Sequence, residues 1–164
     1  MFLLLVAPSF SKDDIVFEAF VMNNPADATT NLRATPKGKI IKQLPSGTYE
    51  LYFQKVRNGW WKVVDIRDAD ETEDYRRETL EPNRAYGIHY SVIAIGTRNY
   101  GGEKLTLRAE PRAGSKAVWS FSEEISLRPM EIRGEWVKVR TIDGKHNGWI
   151  DQEWLCGNPV TYCS

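Results

Sequence analysis

Apolar and polar positions alternate in short runs along this chain, and turn-forming residues separate the runs. Ile15 to Met22 mixes β-branched, aromatic and aliphatic residues and predicts a strand; Asn23-Asn24-Pro25-Ala26-Asp27 predicts a turn. Thr29 to Arg33 is a second extended segment, stopped by Pro36 and Gly38. Ile40 to Leu44 and Tyr49 to Val56 predict two more strands. Asn58-Gly59 is a hairpin signal, because both residues accept the positive φ of a tight turn, and Trp60 to Ile66 follows as a strand. Nothing in this region is long and helical. Short strands at regular spacing, with turn residues between them, predict an all-β fold built on a small β-barrel.

The pattern then occurs a second time. Asn31-Leu32-Arg33-Ala34-Thr35-Pro36 is matched by Thr106-Leu107-Arg108-Ala109-Glu110-Pro111, and Asn58-Gly59-Trp60-Trp61-Lys62-Val63 by Arg133-Gly134-Glu135-Trp136-Val137-Lys138-Val139. Leu107 follows Leu32 by 75 positions and Trp136 follows Trp60 by 76, so order and spacing are kept. A repeat of this kind decides the architecture before anything else: one β module present twice. Each copy alone is near the lower size limit for an independent core, so the two are expected to pack together.

These motifs carry a resemblance. Asn-Leu-Arg-Ala-x-Pro, a hydrophobic pair, a Gly-Thr turn, Asn-Gly-Trp-x-Lys-Val and a closing Gly-Trp-Ile resemble the bacterial-type SH3 domain, over most of residues 15–95 and again over 97–155. The pair of modules with its Cys156-Gly157-Asn158-Pro159 tail is similar to secreted SH3-domain proteins of Bacteroidales. The resemblance implies two SH3-like small β-barrels in tandem. Residues 12–95 would form the first and residues 96–155 the second, with 96–102 a short linker. It also implies a module that targets cell-wall peptides.

Strand phase assigns the rings. Val137 and Val139 share one face and Trp136 and Lys138 the other, so Trp61 and Val63 are expected in the core and Trp60 with Lys62 on the outer or groove side. Trp119 falls where the first copy has Lys42 and is a further outward ring, which with Trp136 and Trp149 would line an aromatic patch. The alternative places these rings over the barrel rim or between the modules. Tyr86-Gly87-Ile88-His89 corresponds to Gly148-Trp149-Ile150-Asp151, so Gly87 stands in the Trp place with Tyr86 beside it. An altered or lost groove is therefore expected in the first module. The ligand-binding candidates are Trp60, Tyr86, Trp119, Trp136 and Trp149.

Ile88 follows Trp60 by 28 positions and Ile150 follows Trp136 by only 14, so the first copy carries an inserted acidic loop at about 68–84. Its Asp68, Asp70, Glu71, Glu73 and Asp74 lack the sixth-position Gly and closing Glu of a calcium loop. A solvated hairpin extension or short helix is expected, with Glu73 and Arg77 an i,i+4 pair.

Composition narrows the function. Lys+Arg and Asp+Glu both count 22, which argues against a nucleic-acid surface. No apolar run approaches a membrane-spanning length. Residues 1–11 read as a truncated signal peptide, with small residues around Phe10 before Lys12-Asp13-Asp14; the alternative is a first β-strand. In the tail at 156–164, Gly157 and Asn158-Pro159 let Cys156 and Cys163 approach, so a disulfide is expected, with two free thiols the alternative. Both features fit a secreted or periplasmic protein.

Catalytic signals are sparse. The only two His, His89 and His146, read as surface or structural, and no nucleophile elbow, zinc motif or phosphate loop occurs. No metal or cofactor is expected. The expected function is a non-catalytic binding module for a peptide or peptidoglycan-type cell-wall ligand. The alternative is a structural or protein-interaction role with the aromatic surfaces buried against a partner or the sister module.

Overall fold

The alternation seen in sequence is the alternation of burial. In a computed structural model of the protein, which describes residues 15–163 apart from 24, 26 and 70–75, Trp61, Val63 and Ile66 are buried while Trp60, Lys62 and Val64 are half-exposed. The strands of the first half are β1 (Phe17–Val21), β2 (Thr30–Arg33), β3 (Ile40–Leu44), β4 (Tyr49–Arg57), β5 (Trp60–Asp68), β6 (Arg76–Arg77) and β7 (Tyr86–His89). A single 3-10 turn, Tyr90–Val92, leads into β8 (Ile93–Thr97). The second half continues with β9 (Leu105–Arg108), β10 (Ala117–Phe121), β11 (Ser126–Arg133), β12 (Trp136–Thr141) and β13 (Asn147–Asp151). Another 3-10 turn, Gln152–Trp154, precedes β14 (Leu155–Cys156). The fold is all-β, and the residues before 15, which hold the signal-peptide expectation, lie outside the described region.

Antiparallel pairing joins the strands in the order β10-β9-β13-β12-β11-β8-β1-β4-β5-β7-β2-β3, with β14 on β8 and β6 on β5. The order reads the same from either end once each strand is replaced by its repeat partner. β4 and β5 are the first-half counterparts of β11 and β12, and both hairpins slip register at matching places, before Lys55 and before Glu131. The extra residue bends each long strand over the core. The two 3-10 turns also match: His89 Nδ1 accepts from the Ser91 N–H, and an Asp151 carboxylate oxygen accepts from the Glu153 N–H.

The boundary expected at 95/96 falls inside a strand. Ile93 and Ala94 of β8 pair with β1, while Ile95 and Gly96 pair with β11 and Gly96 and Thr97 with β14. β8 therefore closes the first half and opens the second, and it includes Gly96 and Thr97 of the expected short linker. The halves are pinned further. The Trp61 indole N–H donates to the Pro129 carbonyl at 2.9 Å, and the Arg128 guanidinium donates to the carbonyls of Met22 and Ile93 at 2.7 and 2.8 Å. Burial holds the Arg128 pKa below its ordinary value, and these carbonyls supply the polar contacts that make its burial tolerable. One apolar cluster runs through both halves, from Phe17 and Trp61 to Leu107 and Val139.

The inserted segment begins as a hairpin. Arg67 and Asp68 of β5 pair with Arg77 and Arg76 of β6, and the Asp65 carboxylate accepts from Arg67 at 3.4 Å and lies 3.8 Å from Arg77. Residues 70–75, and with them the expected Glu73–Arg77 pair, lie outside the described region.

Candidate functional site

The outer face of each half is set by two strand pairs. In the first, Trp60 lies opposite His89 and Lys62 opposite Gly87; in the second, Trp136 lies opposite Asp151 and Lys138 opposite Trp149. Side chains paired this way project from the same face of the sheet. The faces differ by one large ring. The Trp149 indole fills the second, only 5% exposed, with the Arg133 guanidinium 5.2 Å and the Lys138 ammonium 6.0 Å from its centre. Gly87 leaves the same place empty in the first.

The space left is a groove of about 800 Å³. The loop after β2 (Ala34 to Lys37) forms one wall, and the β4–β5 hairpin (Lys55, Arg57, Asn58, Trp60) another. Trp61, Lys62, Ala85, Tyr86, Gly87 and His89 complete its lining. The hairpin is tight because Asn58 and Gly59 both take positive φ, 50° and 76°, and a Cβ on Gly59 would lie 2.7 Å from the Tyr90 ring. Lys37 also has positive φ, 58°, in the turn closed by the Gly38 N–H donating to the Thr35 carbonyl. The Trp60 ring is half-buried with its centre 5.1 Å from that of His89. Burial first, and the positive charge of Lys37 second, hold the His89 pKa below its ordinary 6.5.

The candidate rings thus separate. Trp60 lines the large groove as expected, and also a smaller one of about 440 Å³ beside β2. Tyr86 reaches the large groove but is buried, and its hydroxyl accepts the Glu81 N–H at 3.0 Å, so it is part of the wall rather than a free ring. Trp136 lines a hollow of about 250 Å³ with Arg108 and Trp154, the counterpart of the smaller first-half groove. Trp119 stacks on Phe121 and lies flat against His146, with ring centres 4.8 and 4.4 Å apart. The expected patch of Trp119, Trp136 and Trp149 is not formed: Trp149 is covered, and among the described residues no ring contact joins the three. Of the two expectations for the first module, an altered or a lost groove, the structure shows an altered one, opened by Gly87. The signal was present in the exchange of Tyr86-Gly87 for Gly148-Trp149.

At the far end Cys156 and Cys163 form a disulfide, with Cα atoms 5.6 Å apart. Asn158 shapes the loop between them, its side-chain oxygen accepting from the N–H groups of Val160 and Thr161 at 2.9 and 3.0 Å. Tyr162 meets Tyr100 edge to face, so the tail is laid on the body of the second half. No helix among the described residues is long and apolar enough to cross a membrane. Among them no group of three His, Cys, Asp or Glu is placed to hold a metal ion.

No family model matches the chain, and no curated protein matches it. Among solved structures, the structure of NlpC1 from Trichomonas vaginalis aligns with 94% of this chain and 50% of that one, at 13% identity and a TM-score of 0.31. The chain spans about half the length of that protein, and a likeness of this size assigns neither fold family nor function.

Proposed function

We propose that the protein is a non-catalytic binding module of two SH3-like barrels in tandem, acting outside the cytoplasm on a peptide or peptidoglycan-type cell-wall ligand. The observation that carries this reading is the first-half groove. It combines an accessible Trp60 ring with hydrogen-bonding and charged side chains in a concave space of ligand size. The motifs shared with bacterial-type SH3 domains supply the ligand class, and the Cys156–Cys163 disulfide suits an oxidising compartment. The second half, its matching space filled by Trp149, serves as the rigid support of the first.

The test is co-sedimentation of the full chain with purified peptidoglycan sacculi. Wild type is expected in the pellet. Trp60→Ala and Gly87→Trp, each shown to be folded by circular dichroism, are expected in the supernatant. Wild type that stays in the supernatant would overturn the wall-ligand reading.

A further inference from the structure

The large groove gathers an excess of positive charge. Lys37, Lys55, Arg57 and Lys62 line it together with His89, and among the described residues no Asp or Glu does, although acids and bases are equal in number over the whole sequence. The second half shows the same strand pairs with acids beside the matching cations. There Arg112 pairs with Glu110 at 2.8 Å, and Arg133 with Glu131 at 2.8 Å. The register puts Thr35 in the place of Glu110 and Lys55 in the place of Glu131. Both neutralising carboxylates are absent from the first half. Among the described residues no ion pair joins Lys37, Lys55 or Arg57 to an acid. Lys62 donates to the Gln54 side-chain oxygen at 2.8 Å, which leaves its charge unneutralised.

We propose that this groove takes a short peptide bearing carboxylates, which Lys37, Lys55, Arg57 and Lys62 hold while an apolar part of the peptide lies on Trp60. The inference rests on the reading of the groove as the ligand site and adds the chemical class of the occupant. Like charges gathered in a partly enclosed space repel one another, and an anion relieves that repulsion while gaining charge-assisted hydrogen bonds. A peptide fits better than a bare anion because the lining also offers flat and neutral polar surface. Trp60 presents a ring face and Asn58 a carboxamide with both a donor and an acceptor, the complement of a peptide unit. Gly87 is what admits it, since a side chain there would occupy the same space as Trp149 does in the other half.

The experiment is a calorimetric titration of the full chain with a soluble tetrapeptide bearing two free carboxylates, with its doubly amidated form, and with inorganic phosphate. It is run beside the sacculus co-sedimentation. Lys37→Asn removes one charge and keeps a residue that tolerates the left-handed backbone at this position. The acidic peptide is expected to bind wild type at least about tenfold more tightly than the amidated form, and Lys37→Asn to weaken it by about tenfold, the effect of one charge-assisted contact. Gly87→Trp is expected to abolish binding. Equal affinity for the amidated peptide, phosphate binding as tightly as the peptide, or undiminished binding by both Lys37→Asn and a Lys55→Gln/Lys62→Gln variant would each overturn the proposal. Sacculi bound by wild type while neither peptide binds would overturn it and leave the wall-binding reading standing. Acidic peptide bound while sacculi are not would overturn the wall ligand and support the anionic occupant. Failure of both would overturn both.

Discussion

The two halves of this protein share a backbone and diverge at a few aligned side chains. They have the same strand order, the same bulge in the long hairpin and the same 3-10 turn at its foot. Four of the differences shape the outer face: Thr35 against Glu110, Lys55 against Glu131, Gly87 against Trp149, and His89 against Asp151. The second half fills its outer face with an indole and pairs Arg112 and Arg133 with Glu110 and Glu131. The first leaves the face open, and among the described residues no ion pair joins Lys37 or Arg57 to an acid. The open space is a matter of what has been left out: the duplicate serves as its own reference for what a filled face looks like.

Exchanging the divergent residues tests that contrast, and the largest effect is expected from the ring. Trp149→Gly removes a buried indole and places Gly in a strand. A loss of about 3–5 kcal/mol is expected, measured by urea unfolding, together with a new groove in the second half. The reciprocal Gly87→Trp is expected to cost about 1 kcal/mol, because its Cβ meets only the Arg33 carbonyl at 3.3 Å and the Trp60 ring at 3.8 Å before open space. Equal costs for the two exchanges would break the comparison.

The next effect concerns how each half ends. The first ends in the five-residue β8, whereas the second ends in the two-residue β14, followed by a loop closed by the disulfide. Cys156→Ser/Cys163→Ser is expected to lower stability by about 2.5 kcal/mol in the chain-entropy account of a loop this short. Smaller again is Trp61→Phe, which keeps a ring but deprives the Pro129 carbonyl of its donor; about 1–2 kcal/mol is expected from the same unfolding curves.

The smallest effect is a pH dependence at the 3-10 turn. His89 has its folded pKa held below 6.5, so the unfolded chain takes up the proton first as pH falls. Stability is therefore full above 6.5, declines as pH drops from 6.5 toward the lowered folded value, and then levels. His89→Asp supplies the cap that the second half uses at Asp151 and carries no group titrating in that window. The difference in urea midpoint between about pH 7.5 and about pH 5.5 is expected to shrink in the variant.

The strands and the duplication were legible in the sequence because turn chemistry is local. Asn58-Gly59, Pro36, Gly38 and Asp143-Gly144 mark chain reversals whatever packs around them, and strand phase put Trp61 in the core correctly. Phase states which face a side chain leaves from, not how much its neighbours cover. Trp149 leaves from the outer face, as read, yet is buried because Arg133 and Lys138 from β11 and β12 lie over it. The groove escaped detection for the complementary reason. Its opening depends on Gly87 lying opposite Lys62, a register fact, and a missing Trp reads in sequence as a lost site rather than a vacated one. The charge imbalance was hidden too, because Lys37, Lys55 and Lys62 are scattered along a chain whose total is zero.

β8 makes the duplication indivisible. In a string of separate beads, recombination at the joint can delete, add or shuffle a copy, and a protease that cuts there releases two intact pieces. Here the joint is a strand that both copies require, Ile93 and Ala94 for one and Ile95 to Thr97 for the other. A cut after Ile95 leaves neither fragment with a complete edge, and discarding either copy strips a strand from the survivor. The pair is therefore expected to melt in a single cooperative transition.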